Sequence, residues 1–259
     1  MIINSEIISY FLENKHLKDC QNHWVYKQIV PGEYTFEEPV NVDYKQLTKL
    51  YNLVKEQITN FEPTNQFLWN QIFDGIEIPK STTIYLIVGA PQPYDAMVRE
   101  YNGERYIILD LIRILSYTDD FDRLKSIVND FLTHEIAHIL IGSKYPYLES
   151  MSLEDTFIQM IFDEGIAHFI SYKEDVLNVD WKSPDMKKHY QNVVEKLRYS
   201  LNNRNEISEQ TLIEANSGTF WGKYASIGGM FAIKEYYDAH LNFSNLLNDG
   251  PKILLDFIK

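Results

Sequence analysis

The chain has one cysteine in 259 residues, Cys20, so no disulfide can close within it and a small disulfide-stapled scaffold is excluded. Nothing near Cys20 suggests the surroundings of a nucleophile, and it reads as a partly buried bystander. Apolar runs long enough to span a bilayer, about eighteen residues, are missing. So is a basic start followed by a long apolar stretch. Positive charge is scarce: Lys plus Arg number 24 against 37 Asp plus Glu, a formal net charge of −13. A chain with that balance and no basic cluster has nothing with which to track a phosphate backbone, which argues against nucleic acid as a partner. Gly/Ser linkers, internal repeats and low-complexity segments are also lacking. The expectation is one domain over residues 1–259, soluble and cytoplasmic, with no membrane partner. Oligomeric state has no signal in the sequence.

What is present is the composition of a folded globule, 45% hydrophobic and 14% aromatic, far from the polar make-up of a disordered chain. Leu47, Leu50, Tyr51, Val54 and Ile58 recur at three- and four-residue steps and predict a helix over Tyr44–Phe61. The period then changes. Ser81–Val88 (STTIYLIV) and Glu104–Leu111 (ERYIILDL) are rich in β-branched and aromatic residues and read as strands. The fifteen residues between them, GAPQPYDAMVREYNG, carry turn formers at both ends and read as a long loop, a possible wall of a site.

Helices return after that. Thr118 or Asp119 is the expected cap of a helix running to Ile141, with Gly142 at its stop position. Ser152 followed by an acid three residues on predicts a second helix to about Tyr172. Others are expected over Pro184–Leu201, over Tyr224–His240 and, briefly, after Pro251. The fold class that follows is α+β, with a mixed front lobe over residues 1–142 and a helical lobe over 143–259.

The helix expected to end at Ile141 contains FLTHEIAHIL, residues 131–140. Leu124, Ile127, Phe131, His134, His138 and Ile141 form one stripe, so both histidines point with the core residues. Ile136, Ala137, Ile139 and Leu140 make the remainder apolar, and Glu135 ionised without a partner there would cost several kcal/mol. His-Glu-x-x-His on a helix is the arrangement in which imidazoles at i and i+4 bind one Zn²⁺ while the intervening Glu works on a water. By composition the pattern arises by chance in about one or two chains in a hundred of this length. The competing reading is a pair of core histidines satisfied by backbone or carboxylates.

A third ligand decides between the two, because a catalytic zinc takes three protein ligands and an open position. Nearby acids are Glu149, Glu154, Asp155, Asp163 and Glu164. Glu164 stands out, since it shares an inward stripe with Phe157, Ile161, His168 and Ser171 on a well-capped helix. Gly165 beside it removes a Cβ where this helix is expected to approach the metal helix. His168 is read as a partner of Glu164, a fourth ligand or plain packing, and Asp163 as an orienting group for an imidazole or a solvated edge residue.

His134-Glu135-Ile136-Ala137-His138, followed 26 residues later by Glu164 within Asp163-Glu164-Gly165-Ile166-Ala167, resembles the gluzincin metallopeptidases. Their third ligand is a glutamate from the next helix. Uncharacterised bacterial zinc-dependent peptidases with an Asp-Glu-Gly-x-Ala segment are similar. A metzincin-type continuation would need glycine at Ile141 and histidine at Lys144. The resemblance implies a zincin-like fold in which a small mixed sheet, its edge strand aligning an extended substrate, precedes the metal helix and a helical lobe. It implies Zn²⁺ held by His134, His138 and Glu164, Glu135 as general base, and a peptide or protein substrate. Gluzincins also place a tyrosine or histidine of the helical lobe at the developing oxyanion. Tyr224, 60 residues after Glu164, is the candidate, with Tyr236, Tyr237 and His240 as alternates. Two other readings stay open: a catalytically inactive binding or regulatory module of this fold, and a metal hydrolase acting on a non-peptide substrate.

Overall fold

The alternating apolar residues of the middle segment build a four-stranded sheet in the computed structural model, which describes residues 1–258. In chain order the elements are β1 (Ile2–Asn4), α1 (Glu6–Asn14), α2 (Tyr44–Thr59), α3 (Gln66–Ile72), β2 (Thr83–Ile87), β3 (Ala96–Tyr101) and β4 (Glu104–Asp110). There follow α4 (Leu111–Leu115), α5 (Phe121–Lys144), α6 (Leu153–Ser171), α7 (Pro184–Asn202), α8 (Glu209–Ala215), α9 (Tyr224–His240) and α10 (Leu246–Asp249). Short 3₁₀ turns include Trp24–Lys27, Phe220–Gly222 and the terminal Pro251–Phe257. The protein is of the α+β class, and among its described residues no helix is long and apolar enough to cross a membrane.

Two compact units are formed, one by residues 1–63 and 78–139, the other by 64–77 and the chain from Leu140 onward. The first contains the sheet, in the order β1-β2-β4-β3, with β1, β2 and β4 parallel and β3 antiparallel to β4. Ile84 lies opposite Ile107 and Leu86 opposite Leu109, all four buried on one face of the sheet. Tyr85, Tyr106 and Tyr101 share the other face, where Trp24 stacks on Tyr101 with ring centroids 4.5 Å apart. Arg99 of β3 points the same way and donates to the carbonyls of Gln28 and Ile29, fixing the Trp24 turn over the strands.

The fifteen-residue loop expected between the strands is a hairpin. Ala96–Tyr101 pairs with Glu104–Leu109 through a two-residue turn at Asn102-Gly103, both residues at positive φ (53° and 76°). That is the dipeptide a type I′ turn requires. The consequence for the sheet is that β4 is an interior strand, and β3 supplies the outer edge.

Several boundaries move for local reasons. Asp120, not Thr118 or Asp119, caps α5, its carboxylate accepting from the N–H groups of Asp122 and Arg123. Gly142 does not stop α5, which continues to Lys144. The last carbonyls are served there without a glycine turn: Ser143 donates to Leu140 O, and Gln159 of α6 donates to Tyr145 O. A helical glycine costs about 1 kcal/mol relative to alanine, which those contacts offset. The Ser152 cap of α6 is as expected, its hydroxyl oxygen accepting from the Asp155 N–H. Tyr224–His240 forms α9 with the expected bounds.

In the second unit α6 and α9 cross on glycine. Gly165 lies against Gly229 of α9, so its missing Cβ serves this crossing and not an approach to α5. A Cβ on Gly229 would meet the carbonyl oxygen of Ile161 at 2.2 Å and the Cα of Gly165 at 2.9 Å. Backbone cannot give way as a side-chain tip can. Gly229→Ala is therefore expected to lower stability by about 3 kcal/mol, the upper range of overpacking costs, read as a fall in the urea midpoint at unchanged m-value.

Candidate metal centre

Each half of the site begins with helix periodicity. On α5 the i, i+4 spacing sets the imidazoles of His134 and His138 one above the other, ring centroids 4.6 Å apart and nearly perpendicular. Their Nε2 atoms are 3.0 Å apart. Two neutral imidazoles satisfy that approach only if one of the facing nitrogens carries the proton. A shared cation satisfies both, and two Zn–N bonds of about 2.05 Å at a tetrahedral angle put the nitrogens about 3.3 Å apart. Glu135 is buried, 4% exposed, and His138 is 8% exposed. Arg105, the second residue of β4, donates to the carbonyl of His138 at 2.9 Å and so ties α5 to the strand. Arg105 faces Glu100 in register, which brings the end of β3 to the same turn of α5.

On α6, Glu164 has a side chain 15% exposed, with Asn216, His168 and Ser226 among its polar neighbours. Asn216, the residue that ends α8, donates its amide N–H to Oε1 at 2.7 Å. His168 Nδ1 lies 3.2 Å from Oε2 and 3.0 Å from the Glu164 carbonyl oxygen. Both are acceptors, so Nδ1 carries the proton. Ser226, in the first turn of α9 and fully buried, has its hydroxyl 3.5 Å from Oε2 and 2.5 Å from Asn216 Oδ1. Phe220 covers His168, ring centroids 5.4 Å apart.

One ring nitrogen from each of His134 and His138 and one carboxylate oxygen from Glu164 lie within 4.8 Å of one another. The three residues singled out by spacing and resemblance thus stand together. Two imidazoles and one carboxylate are a donor set suited to zinc, which takes three protein ligands at its catalytic sites. His168 turns its Nδ1 to the Glu164 side chain and backbone, the second of the roles open to it being that of a ligand. Asp163 is buried, 4% exposed, which removes the solvated-edge reading. Asn216 and Ser226 gave no signal in the sequence, since each is a common polar residue whose role depends on a helix distant in the chain.

Tyr224, the candidate oxyanion donor, opens α9. It is buried, and its hydroxyl donates to the Thr211 carbonyl of α8 at 3.3 Å. Burial pushes its pKa up, with a hydrogen bond to Ser200 acting the other way. Its ring lines a cleft of about 760 Å³ together with Glu195, Tyr199 and Glu214. The alternates are engaged as well: Tyr236 donates to Asp249 at 2.8 Å, His240 Nδ1 meets the Tyr236 carbonyl at 2.9 Å, and Tyr237 packs on Phe243. Tyr224→Phe should cost about 1 kcal/mol of stability for the lost Thr211 bond and leave kcat within about threefold of wild type. An oxyanion donor would instead show a loss of about 10²–10³ in kcat on the same substitution. Compared with models of known protein families, with curated proteins and with solved structures, the chain matches none of them.

Proposed function

We propose that the protein is a zinc-dependent hydrolase of peptide bonds with a zincin-like arrangement. The observation that carries this reading is the convergence of His134, His138 and Glu164 on one point. The two imidazoles would bind through Nε2, the atoms that face each other, and Glu164 would add the one anionic donor. Zinc at that point supplies Lewis acidity to a carbonyl oxygen and lowers the pKa of a water to about 7.

Everything else falls to the chain's own groups. Glu135 is adjacent to the first ligand on α5 and buried, the position from which a general base works on a water held at the cation. It takes a proton from the attacking water and returns it to the leaving nitrogen. β3 is an edge strand of the sheet, the position at which an extended peptide adds as a further strand. Arg105 sets that strand's end against the turn of α5 that carries His138. The peptide assignment comes from the resemblance to gluzincins and from this edge.

The test is elemental analysis of protein purified without chelator, paired with a broad peptide-library assay. About one zinc per chain with cleavage supports the proposal. Zinc without cleavage of any peptide would reduce it to a metal-holding module, and no zinc after supplementation would remove the metal reading altogether.

A further inference from the structure

The hydroxyl of Ser226 has two acceptors within reach, Asn216 Oδ1 at 2.5 Å and Glu164 Oε2 at 3.5 Å, and one proton to give. The shorter contact takes it. That fixes the Asn216 amide: its oxygen faces Ser226, so its NH₂ faces Glu164 Oε1 at 2.7 Å. The flipped amide would set its oxygen against the carboxylate, a repulsive contact in place of a charge-assisted hydrogen bond. Ser226 is fully buried in the first turn of α9, and Asn216 closes α8, so two helices hold the pair.

We infer that Asn216, oriented by Ser226, is a positioning residue that fixes the carboxylate of Glu164 for a divalent cation. The inference rests on the proposed role of Glu164 as third ligand. His168 and Ser226 address Oε2 of this carboxylate at 3.2 and 3.5 Å, and Asn216 addresses Oε1 at 2.7 Å. A charge-assisted bond of that length holds one rotamer and occupies one lone-pair direction of the four the carboxylate offers. Without it Oε1 loses a restraint on the terminal torsion, and a bound cation must supply that restraint instead. Partners of metal ligands elsewhere typically account for 10- to 100-fold in affinity.

The experiment uses the full chain and zinc alone. Zinc affinity is measured by competition with a chromophoric chelator for wild type, Asn216→Ala and Ser226→Ala, and the visible spectrum is recorded after loading with cobalt(II). Asn216→Ala is expected to weaken zinc about 10- to 100-fold and to alter the cobalt bands, with a metal-free unfolding temperature close to wild type. Ser226→Ala should show a smaller loss in the same direction, and it carries the test if Asn216→Ala does not fold. Affinity and spectrum equal to wild type in both variants would overturn the inference while leaving the three-ligand reading intact. A wild-type chain that takes up no zinc would overturn both.

Discussion

Glu135→Gln is expected to keep one zinc per chain and to lose about 10²–10⁴ in kcat, the range typical of a removed general base. Glutamine matches the shape of glutamate and adds no bulk to a position only 4% exposed, so neither the packing of α5 nor the spacing of His134 and His138 is disturbed. What disappears is the ability to accept a proton. Because glutamine keeps the volume of the side chain at this buried position, the metal-loaded unfolding temperature should stay near that of wild type. Peptide hydrolysis is followed by initial rates and zinc by elemental analysis of the same sample. Turnover at the native rate would show that Glu135 is not the base. Loss of metal together with activity would show instead that the carboxylate helps to hold the cation, and the roles on this helix would have to be exchanged.

The parts of this molecule that could be read in advance are those whose cause lies within a few residues. Ser152 announces α6 because a cap needs only the N–H groups of its own first turn. The paired histidines are legible because i, i+4 spacing alone brings their rings together. The β3 hairpin has a local signal as well, Asn102-Gly103, but Pro91 and Pro93 at the other end of the segment favour an irregular reading of the whole. β1 is three residues long and exists because Ile2–Asn4 pair with Thr83–Tyr85, some eighty positions away, as no local pattern could state. Gly165 shows how far such reasoning goes. A glycine in a helix indicates a close neighbour without naming it, and the neighbour is Gly229 of α9, not a residue of α5. Asn216 and Ser226 lie 52 and 62 positions from the carboxylate they address, and Tyr224 is one of 18 tyrosines. Among so many, its choice rests on the resemblance, on the helix start and on the close packing that Gly228 and Gly229 allow.

Removal of metal is expected to lower the unfolding temperature by about 5–10 °C. Zinc at about one hundred times its Kd stabilises the state that binds it by about 2.7 kcal/mol, and for a chain of this size each kcal/mol corresponds to about 2–4 °C. The informative comparison is with the ligand variants. In His138→Ala the melting curve should be the same with and without chelator, because two remaining ligands do not hold zinc at micromolar levels. Glu164→Ala should behave likewise, although its side chain sits on another helix and is hydrogen-bonded to Asn216. A pair of core histidines satisfied by backbone and carboxylates gives the opposite pattern. Alanine at His138 would then lower the unfolding temperature by a fixed amount whether or not chelator is present, zinc would not move the wild-type curve, and Glu164→Ala would have no bearing on either. Calorimetry of wild type and the two variants, each with zinc and with chelator, separates these outcomes without reference to any substrate. Stability coupled to zinc in wild type and lost equally in both variants is what a site shared by α5 and α6 requires; chelator-insensitive melting of wild type would leave Glu135 with no water to deprotonate.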